Sequence, residues 1–240
     1  MPENVRVTSR LAAISSERMH LVLMLVLTFG TGIVDAVGYL GLDRVFTGNM
    51  TGNIVILGMA LVGADNLPVL GPVLALVGFM AGAALAGRVL KRAGATWTGL
   101  TTVLFGLVSV LMTTLSAVLL VTGEDPGHGI GLTVTTLLGA AMGVQAAAAR
   151  VIAVRDVTTV VVTSTITGLA ADSLLGSGKA RASGGHSTRR VGAVALILAG
   201  AGAGAALLRW HVGAGLMLAA VIVALVTVVG ALHARVVRTA

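Results

Sequence analysis

The sequence contains no cysteine and has few aromatic and few charged residues. The absence of cysteine among the 240 residues excludes disulfide bonds, cysteine-based zinc sites, iron–sulfur clusters and thiol nucleophiles. Aromatic residues make up only 3%, so any belts of Trp and Tyr at the membrane interfaces would be thin. Charged residues make up 10%, whereas soluble domains carry about 25%. A water-soluble fold of this composition would lack the polar surface that must cover its core.

Long apolar runs make up most of the chain. Hydrophobic residues account for 56% and the mean hydropathy is +1.01. A spanning helix needs roughly 20 apolar residues, and residues 21–42, 68–90, 98–121 and 212–232 reach that length. The alternating pattern of a membrane β-barrel is absent. The chain is therefore predicted to be an all-α, polytopic transmembrane helical bundle, and its 33 glycines suit close helix packing in lipid.

The positive charge is organised around the apolar runs. The net charge is +7, but Lys and Arg lie in short clusters between apolar stretches, which is typical of signals that orient a membrane protein. Nucleic acid is therefore not expected as a partner. Residues 1–19 are predicted to form a polar cytoplasmic tail. The apolar run that follows them has full spanning length and no clean cleavage site, which favours an uncleaved first helix over a signal peptide.

The two halves of the chain resemble each other. Residues 32–36 match residues 143–147 at an offset of 111, and residues 45–53 match residues 157–165 at an offset of 112. The later apolar runs follow at similar offsets. The sequence thus predicts two transmembrane repeats of about 111 residues, spanning 20–122 and 123–240. Chance similarity between Gly-rich and Thr-rich helices is the alternative.

The number of membrane crossings depends on two interrupted regions, which are split by charges at residues 43–44 and 155–156. If every segment spans, eight helices in parallel repeats leave nine cations inside and seven outside. If each interrupted region crosses once in net, as a helix plus a broken or re-entrant piece, twelve cations lie inside and one outside, and the other three, Arg44, Arg150 and Arg155, lie near the breaks. The positive-inside rule favours these six net crossings. Three crossings per half also make the repeats inverted, as in many secondary transporters.

Asp35 is the most informative single residue, because it lies well inside the first apolar run. A carboxylate there is costly and indicates a functional position by default. Thr28, Thr31, Asp35 and Tyr39 are spaced by three or four residues, so they share one helix face. This polar stripe predicts a protonatable or cation-coordinating site that lines a cavity. A structural carboxylate, hydrogen-bonded to a neighbouring helix, is the alternative.

Residues 47–53 form the strongest motif, in which Thr, Gly and Asn each recur four residues apart. The polar members predicted for a site are Asn49, Thr51 and Asn53. A half-helix that begins here would present free N–H groups and a positive dipole end to an anion. Its counterpart in the second half is rich in hydroxyls, with candidates at Thr159, Thr163 and Thr165. Interrupted segments in both halves indicate a transport site, whereas Gly-x-x-x-Gly helix packing with interhelical hydrogen bonds is the alternative.

Three further features complete the candidate site. Gln145, in the region that matches Asp35, could offer its amide to a substrate or to Asp35. The dipeptides at the two interruptions carry exchanged charges, which suggests pairing of Asp43 with Arg155 and of Arg44 with Asp156 across a pseudo-twofold axis; ordinary loop charges are the alternative. The five histidines are scattered, and nucleotide-binding and hydrolase motifs are missing. No enzymatic activity, cofactor or metal is therefore expected.

Residues 32–36, 46–53, 143–145 and 158–172 resemble the YoaK family of bacterial membrane proteins, and the resemblance covers essentially the whole chain. Ala146 departs from it, because the family usually has Asn after the Gln. The function of that family is unknown, so the resemblance implies a bacterial inner-membrane location and little about mechanism.

Taken together, these features favour a secondary transporter or permease for a small solute, coupled to protons through Asp35. Its site would lie between Asp35, Asn49, Asn53, Gln145 and the hydroxyl stripe. The alternative is a non-transporting membrane scaffold or interaction protein. Both termini are expected in the cytoplasm. The expected partners are the lipid bilayer and a small solute, and assembly into a homo-oligomer stays open.

Overall fold

The computed structural model describes residues 14–94, 96–123, 126–152, 162–173 and 186–239. Within them the chain forms α-helices, one short 3-10 turn at Ala64–Asn66 and no strand, which confirms the predicted helical bundle. The helices are α1 Ser16–Gly41, α2 Met50–Leu61, α3 Leu70–Val89, α4 Gly99–Thr122, α5 Gly127–Ile152, α6 Val162–Ala171, α7 His186–Leu208 and α8 Val212–Thr239.

Six of these helices, α1, α3, α4, α5, α7 and α8, are long and apolar enough to cross a membrane. Helix α2 has 12 residues and α6 has 10. At about 1.5 Å per residue they extend about 18 Å and about 15 Å, well short of a hydrocarbon core of about 30 Å. Helix α2, both of whose ends are described, cannot span it alone. The described residues therefore contain six helices that can cross, which agrees with six crossings.

The chain between α1 and α3 starts and finishes at the same end of the bundle. Gly41, Gly71 and Gly127 line one cleft, so the end of α1 and the starts of α3 and α5 share that end. If α2 crossed the membrane, the start of α3 would lie at the opposite end. Residues 42–66, called the re-entrant segment below, therefore enter and leave from one side.

Short polar side chains determine where several helices begin. Ser15 caps α1 by accepting a 3.5 Å hydrogen bond from the backbone N–H of Arg18. Thr98 and Thr101 form a capping box at the start of α4. Asn49 caps α2, because its Oδ1 accepts from the backbone N–H of Gly52 at 3.2 Å.

The two halves interleave through matched glycine contacts. Helix α3 packs along α5, and α7 packs along α1. A Cβ added to Gly82 would overlap the carbonyl oxygen of Ala140, and a Cβ added to Gly200 would overlap that of Phe29. The two carbonyl residues are separated by the repeat offset of 111. The same close helix crossing thus occurs twice, and only small residues permit it.

Cations concentrate at one end of the bundle. The Ile14 carbonyl oxygen lies 3.0 Å from Nε2 of His233, and Glu17 pairs with Arg189 at 3.4 Å, so the starts of α1 and α7 and the end of α8 lie together. In the described part of the chain, the Lys and Arg residues at this end are Arg18, Arg88, Lys91, Arg92, Arg150, Arg189, Arg190, Arg235 and Arg238. The opposite end carries Arg44 and Arg209, which is the asymmetry that the positive-inside rule describes.

Candidate functional site

Asp35 holds the re-entrant segment through three backbone hydrogen bonds. Its Oδ1 accepts from the N–H groups of Thr47 at 3.1 Å, Gly48 at 2.7 Å and Asn49 at 3.3 Å. Asp35 lies six residues before the last residue of α1, which is about 9 Å below the helix end at 1.5 Å per residue. The segment must therefore descend into the bundle to reach it, and α2 begins at that depth.

The descent begins with a reversal directly after α1. Asp43 and Arg44 adopt left-handed backbone conformations, with φ of 60° and 56°. Such a conformation costs an ordinary residue roughly 1–2 kcal/mol. The N–H of Val45 then donates to the Gly38 carbonyl at 3.4 Å. A Cβ on Gly38 would press against the Val45 carbonyl oxygen, so the glycine lets the returning chain pack along the last turns of α1.

The side chains of Asn53 and Tyr39 both contact Phe46, which lies in the turn before α2. The Asn53 Oδ1 accepts from the N–H of Phe46 at 2.9 Å, and the Asn53 amide donates back to the Phe46 carbonyl. Asn53 is only 1% exposed, so this reciprocal pairing satisfies polar groups that would be costly to bury alone. The ring of Tyr39 stacks on that of Phe46 with centroids 4.9 Å apart. Both predicted site residues therefore contact the turn rather than an open cavity.

Gln145 reaches the site from α5. Its Nε2 donates to Oγ1 of Thr31 at 3.3 Å, and that hydroxyl donates to the Leu27 carbonyl at 3.0 Å. The hydrogen bond from Gln145 thus goes to Thr31, one helical turn from Asp35. A Cβ on Gly48 would lie 3.1 Å from Cγ2 of Thr31 and 3.2 Å from Cε of Met142, which places the turn between α1 and α5.

Sequence reasoning missed Met142 and Phe46 as contributors to the site. Met142 occupies the repeat position of Thr31 at the offset of 111, and Phe46 directly precedes the 47–53 motif. Both positions could have been found from the repeat and the motif. Neither side chain is polar, however, so neither residue carries a sequence signal for a site made of polar groups.

The first N–H groups of the α2 region are not open to an external anion in this state. The sequence predicted free donors there, whereas the structure pairs those of residues 47–49 with Asp35. Unpaired N–H groups are costly inside a bilayer. A carboxylate also compensates the positive end of the helix dipole. An internal carboxylate therefore takes the place predicted for the anion.

The remaining predicted residues are distributed as follows. Thr51 is exposed on α2, Thr163 is exposed on α6, and Thr165 is buried on α6, which packs against α7. Thr159 lies outside the described residues. In the second half, Asp172 at the end of α6 accepts a 2.8 Å hydrogen bond from Arg190 of α7.

The charges at the first interruption have a partner that the sequence did not predict. Arg44 lies 3.6 Å from Asp65, with the two side chains 51% and 87% exposed. A pair this exposed contributes at most about 1 kcal/mol. Asp43 lines the cleft between the end of α1 and the starts of α3 and α5, of about 280 Å³, together with His128. The predicted partners, Arg155 and Asp156, lie outside the described residues.

Comparison with known proteins places these features in a wider group. A family model described as "Protein of unknown function (DUF1275)" matches residues 23–229. The UPF0700 transmembrane protein YoaK of Bacillus subtilis (strain 168) is 32% identical over 151 residues, which cover 62% of this chain and 65% of that protein. The match therefore spans slightly less than two thirds of that relative. No solved structure matches the chain.

Proposed function

This chain belongs to the DUF1275 family of proteins of unknown function, and we propose that it is a secondary permease for a small solute, coupled to protons through Asp35. It works in the bacterial inner membrane with its cation-rich end and both termini in the cytoplasm. Its partners are the bilayer and the solute. We propose no enzymatic activity for it.

The three hydrogen bonds to Asp35 carry the proposal. An ionised carboxylate accepts charge-assisted hydrogen bonds, which are roughly twice as strong as neutral ones. Protonation of Asp35 would weaken all three bonds at once, because Oδ1 accepts every one of them. The position of the re-entrant segment would then depend on whether Asp35 carries a proton. An element with two positions and a proton switch is what proton-coupled transport requires.

The architecture around Asp35 fits alternating access. The re-entrant segment opens toward the end that carries few cations, which the positive-inside rule assigns to the outside. The cleft of about 280 Å³ lies at that end, between the end of α1 and the starts of α3 and α5, and provides an entrance. The interleaved packing of α3 on α5 and of α7 on α1 offers two related bodies that could move against each other.

Single-cysteine accessibility tests the proposal without knowledge of the solute, since the chain contains no cysteine of its own. Thr51→Cys places a thiol on an exposed position at the start of α2. In oriented vesicles, a membrane-impermeant thiol reagent should label it from both sides, in proportions that change with pH. Lys91→Cys and Trp210→Cys are controls that should each be labelled from one side only. Labelling of Thr51→Cys from a single side at every pH, or from neither, would refute the permease.

The scaffold alternative is favoured by a different observation. Asn53 and Gln145, which were predicted to meet a solute, use their side chains to bind Phe46 and Thr31 within the protein. Such contacts also suit a protein whose polar residues only join its helices. The accessibility experiment separates the two, because a scaffold has no reason to expose Thr51→Cys to both sides.

A further inference from the structure

We infer that the turn at residues 46–49 is a binding site for a small carboxylate anion, which replaces the Asp35 side chain when Asp35 is protonated. This inference rests on the proposed function, because it names the class of solute that the permease carries. It is built on three observations: the converging N–H groups, the hydroxyl of Thr47, and the lack of a cation at the level of Asp35 in the part of the chain that the structure describes.

The N–H groups of the turn already hold a carboxylate. Three of them converge on one oxygen of Asp35 at 2.7 to 3.3 Å, at the start of a 12-residue helix. Converging backbone N–H groups at a helix start bind anionic oxygens. Because the Asp35 side chain that occupies these donors is a carboxylate, we expect an external ligand to be a carboxylate too.

Thr47 points independently to a ligand. The residue is 0% exposed, and its Oγ1 is buried without a hydrogen-bond partner among the residues that the structure describes. Buried hydroxyls are almost always hydrogen-bonded, so one without a partner requires an explanation. The N–H of the same residue donates to Asp35 Oδ1, so covalent geometry keeps the hydroxyl near the point where the donors converge.

A free carboxylate would satisfy this arrangement better than Asp35 does. Asp35 is tethered to α1 and engages the turn through Oδ1, which leaves the Thr47 hydroxyl without an acceptor. An untethered carboxylate can place one oxygen on the N–H groups and its second oxygen on that hydroxyl. The protonated Asp35 could then donate its own O–H to the bound anion.

Among the described residues, no cationic side chain lies at this depth to hold an anion by ion pairing. Helix α2 contains no titratable residue, and those on α5 and α7 lie near the helix ends. On α8 the titratable residues lie in the last turns. On α1, Glu17, Arg18 and His20 lie in the first turns, and Tyr39 lies one turn above Asp35. The residues in question are His128 and Arg150 on α5, His186, Arg189 and Arg190 on α7, His233, Arg235 and Arg238 on α8, and Asp43 and Arg44 in the outer part of the re-entrant segment. Within the described residues, protonation of Asp35 is therefore what offsets an incoming negative charge.

The charges balance over the proposed cycle. A proton binds a carboxylate oxygen of Asp35 and forms an O–H bond, which removes one negative charge from the site. The entering carboxylate then restores that charge. One proton and one monovalent anion move together, and the transport step is electroneutral.

Equilibrium binding of radiolabelled acetate to the purified full-length protein tests the site. At pH 5 the wild type should bind acetate saturably, and at pH 8 binding should be at least about tenfold weaker, because ionised Asp35 competes for the donors. Asp35→Asn, which cannot ionise, should remove this pH dependence. Thr47→Val should weaken acetate binding about tenfold or more, since it removes a hydrogen bond to a charged group. Thr114→Val, on an exposed position of α4, is the matched control and should bind like the wild type.

The acetate-binding and cysteine-labelling results together distinguish failure of the carboxylate site from failure of the proposed permease function. The thermal unfolding temperature of Thr47→Val without acetate should match that of the wild type, because its hydroxyl has no partner to lose. Wild-type acetate affinity in Thr47→Val, equal competition by chloride, or no saturable acetate binding at pH 5 would each overturn the carboxylate site. Two-sided labelling of Thr51→Cys without acetate binding would keep the permease and reject this ligand. Acetate binding with one-sided labelling would keep the site and reject symport.

Discussion

The backbone N–H of Gly48 donates a 2.7 Å hydrogen bond to Oδ1 of Asp35, the shortest of the three bonds that Asp35 accepts from the re-entrant segment. A Cβ at Gly48 would stand 3.3 Å from that same oxygen and 3.1 Å from Cγ2 of Thr31. The glycine therefore allows the backbone to approach closely enough for Asp35 to accept its hydrogen bond. The hydrogen bond between these two residues, 13 positions apart in sequence, thus depends on the small size of Gly48.

Substitutions of Asp35 should separate the effects of its charge and of its hydrogen bonds. Asp35→Asn retains an oxygen acceptor but loses the charge, and we expect it to lower the free energy of unfolding by about 1–2 kcal/mol. Asp35→Ala leaves three N–H groups without an acceptor and should cost about 3 kcal/mol or more. Unfolding of the purified protein in detergent measures both values. Equal stability of the two variants would contradict the three-bond contact.

Gly48→Ala should destabilise the protein by about 1 kcal/mol, because the added methyl would crowd Thr31 and Met142. Gly58→Ala is the matched control on α2, where an added Cβ meets nothing within 4 Å. This control should be neutral or stabilise by about 0.5–1 kcal/mol through helix propensity. Thermal unfolding of both variants checks the difference, and a loss in Gly58→Ala as large as in Gly48→Ala would argue against a specific contact.

The two matched helix crossings, at Gly82 and Gly200, should respond alike to alanine substitution. Gly82→Ala and Gly200→Ala would each push a spanning helix off the carbonyl of its neighbour, at a cost of about 1–3 kcal/mol. Gly87→Ala on α3 and Gly202→Ala on α7 meet nothing within 4 Å and should leave stability nearly unchanged. The free energies of unfolding of the four variants test this pairing. Strong destabilisation at one crossing and none at the other would show that the two halves are not held in the same way.

The sidedness of the loops should follow the cation distribution. With single cysteines, Asp65→Cys and Trp210→Cys should react with an impermeant reagent from outside the cell, and Lys91→Cys should react only after the cytoplasmic side is exposed. Accessibility in whole cells and inverted vesicles measures this. Reaction of Asp65→Cys from the cytoplasmic side, with Trp210→Cys reacting from outside, would mean that α2 crosses the membrane and that the segment is not re-entrant.

Several features of the site were beyond prediction from sequence. The stripe of Thr31, Asp35 and Tyr39 was read correctly as one helix face, since the helical period alone dictates it. What each residue contacts was not, because Tyr39 stacks on Phe46 and Gln145 bonds to Thr31. These contacts join residues that are distant in sequence or separated by the reversal after α1. Local sequence patterns cannot predict such contacts.

The sequence by itself determined that this is a helical membrane protein, and its charge pattern favoured six crossings over eight. Both follow from the solvent, because a bilayer requires long apolar helices of a minimum length and orients them by their flanking cations. Only the tertiary structure decided what Asp35 does. Its role depends on the left-handed reversal at Asp43 and Arg44, which carries the chain back down to its level. The N–H groups of residues 47–49 then meet a carboxylate inside the bundle, where either partner would be costly to leave unpaired.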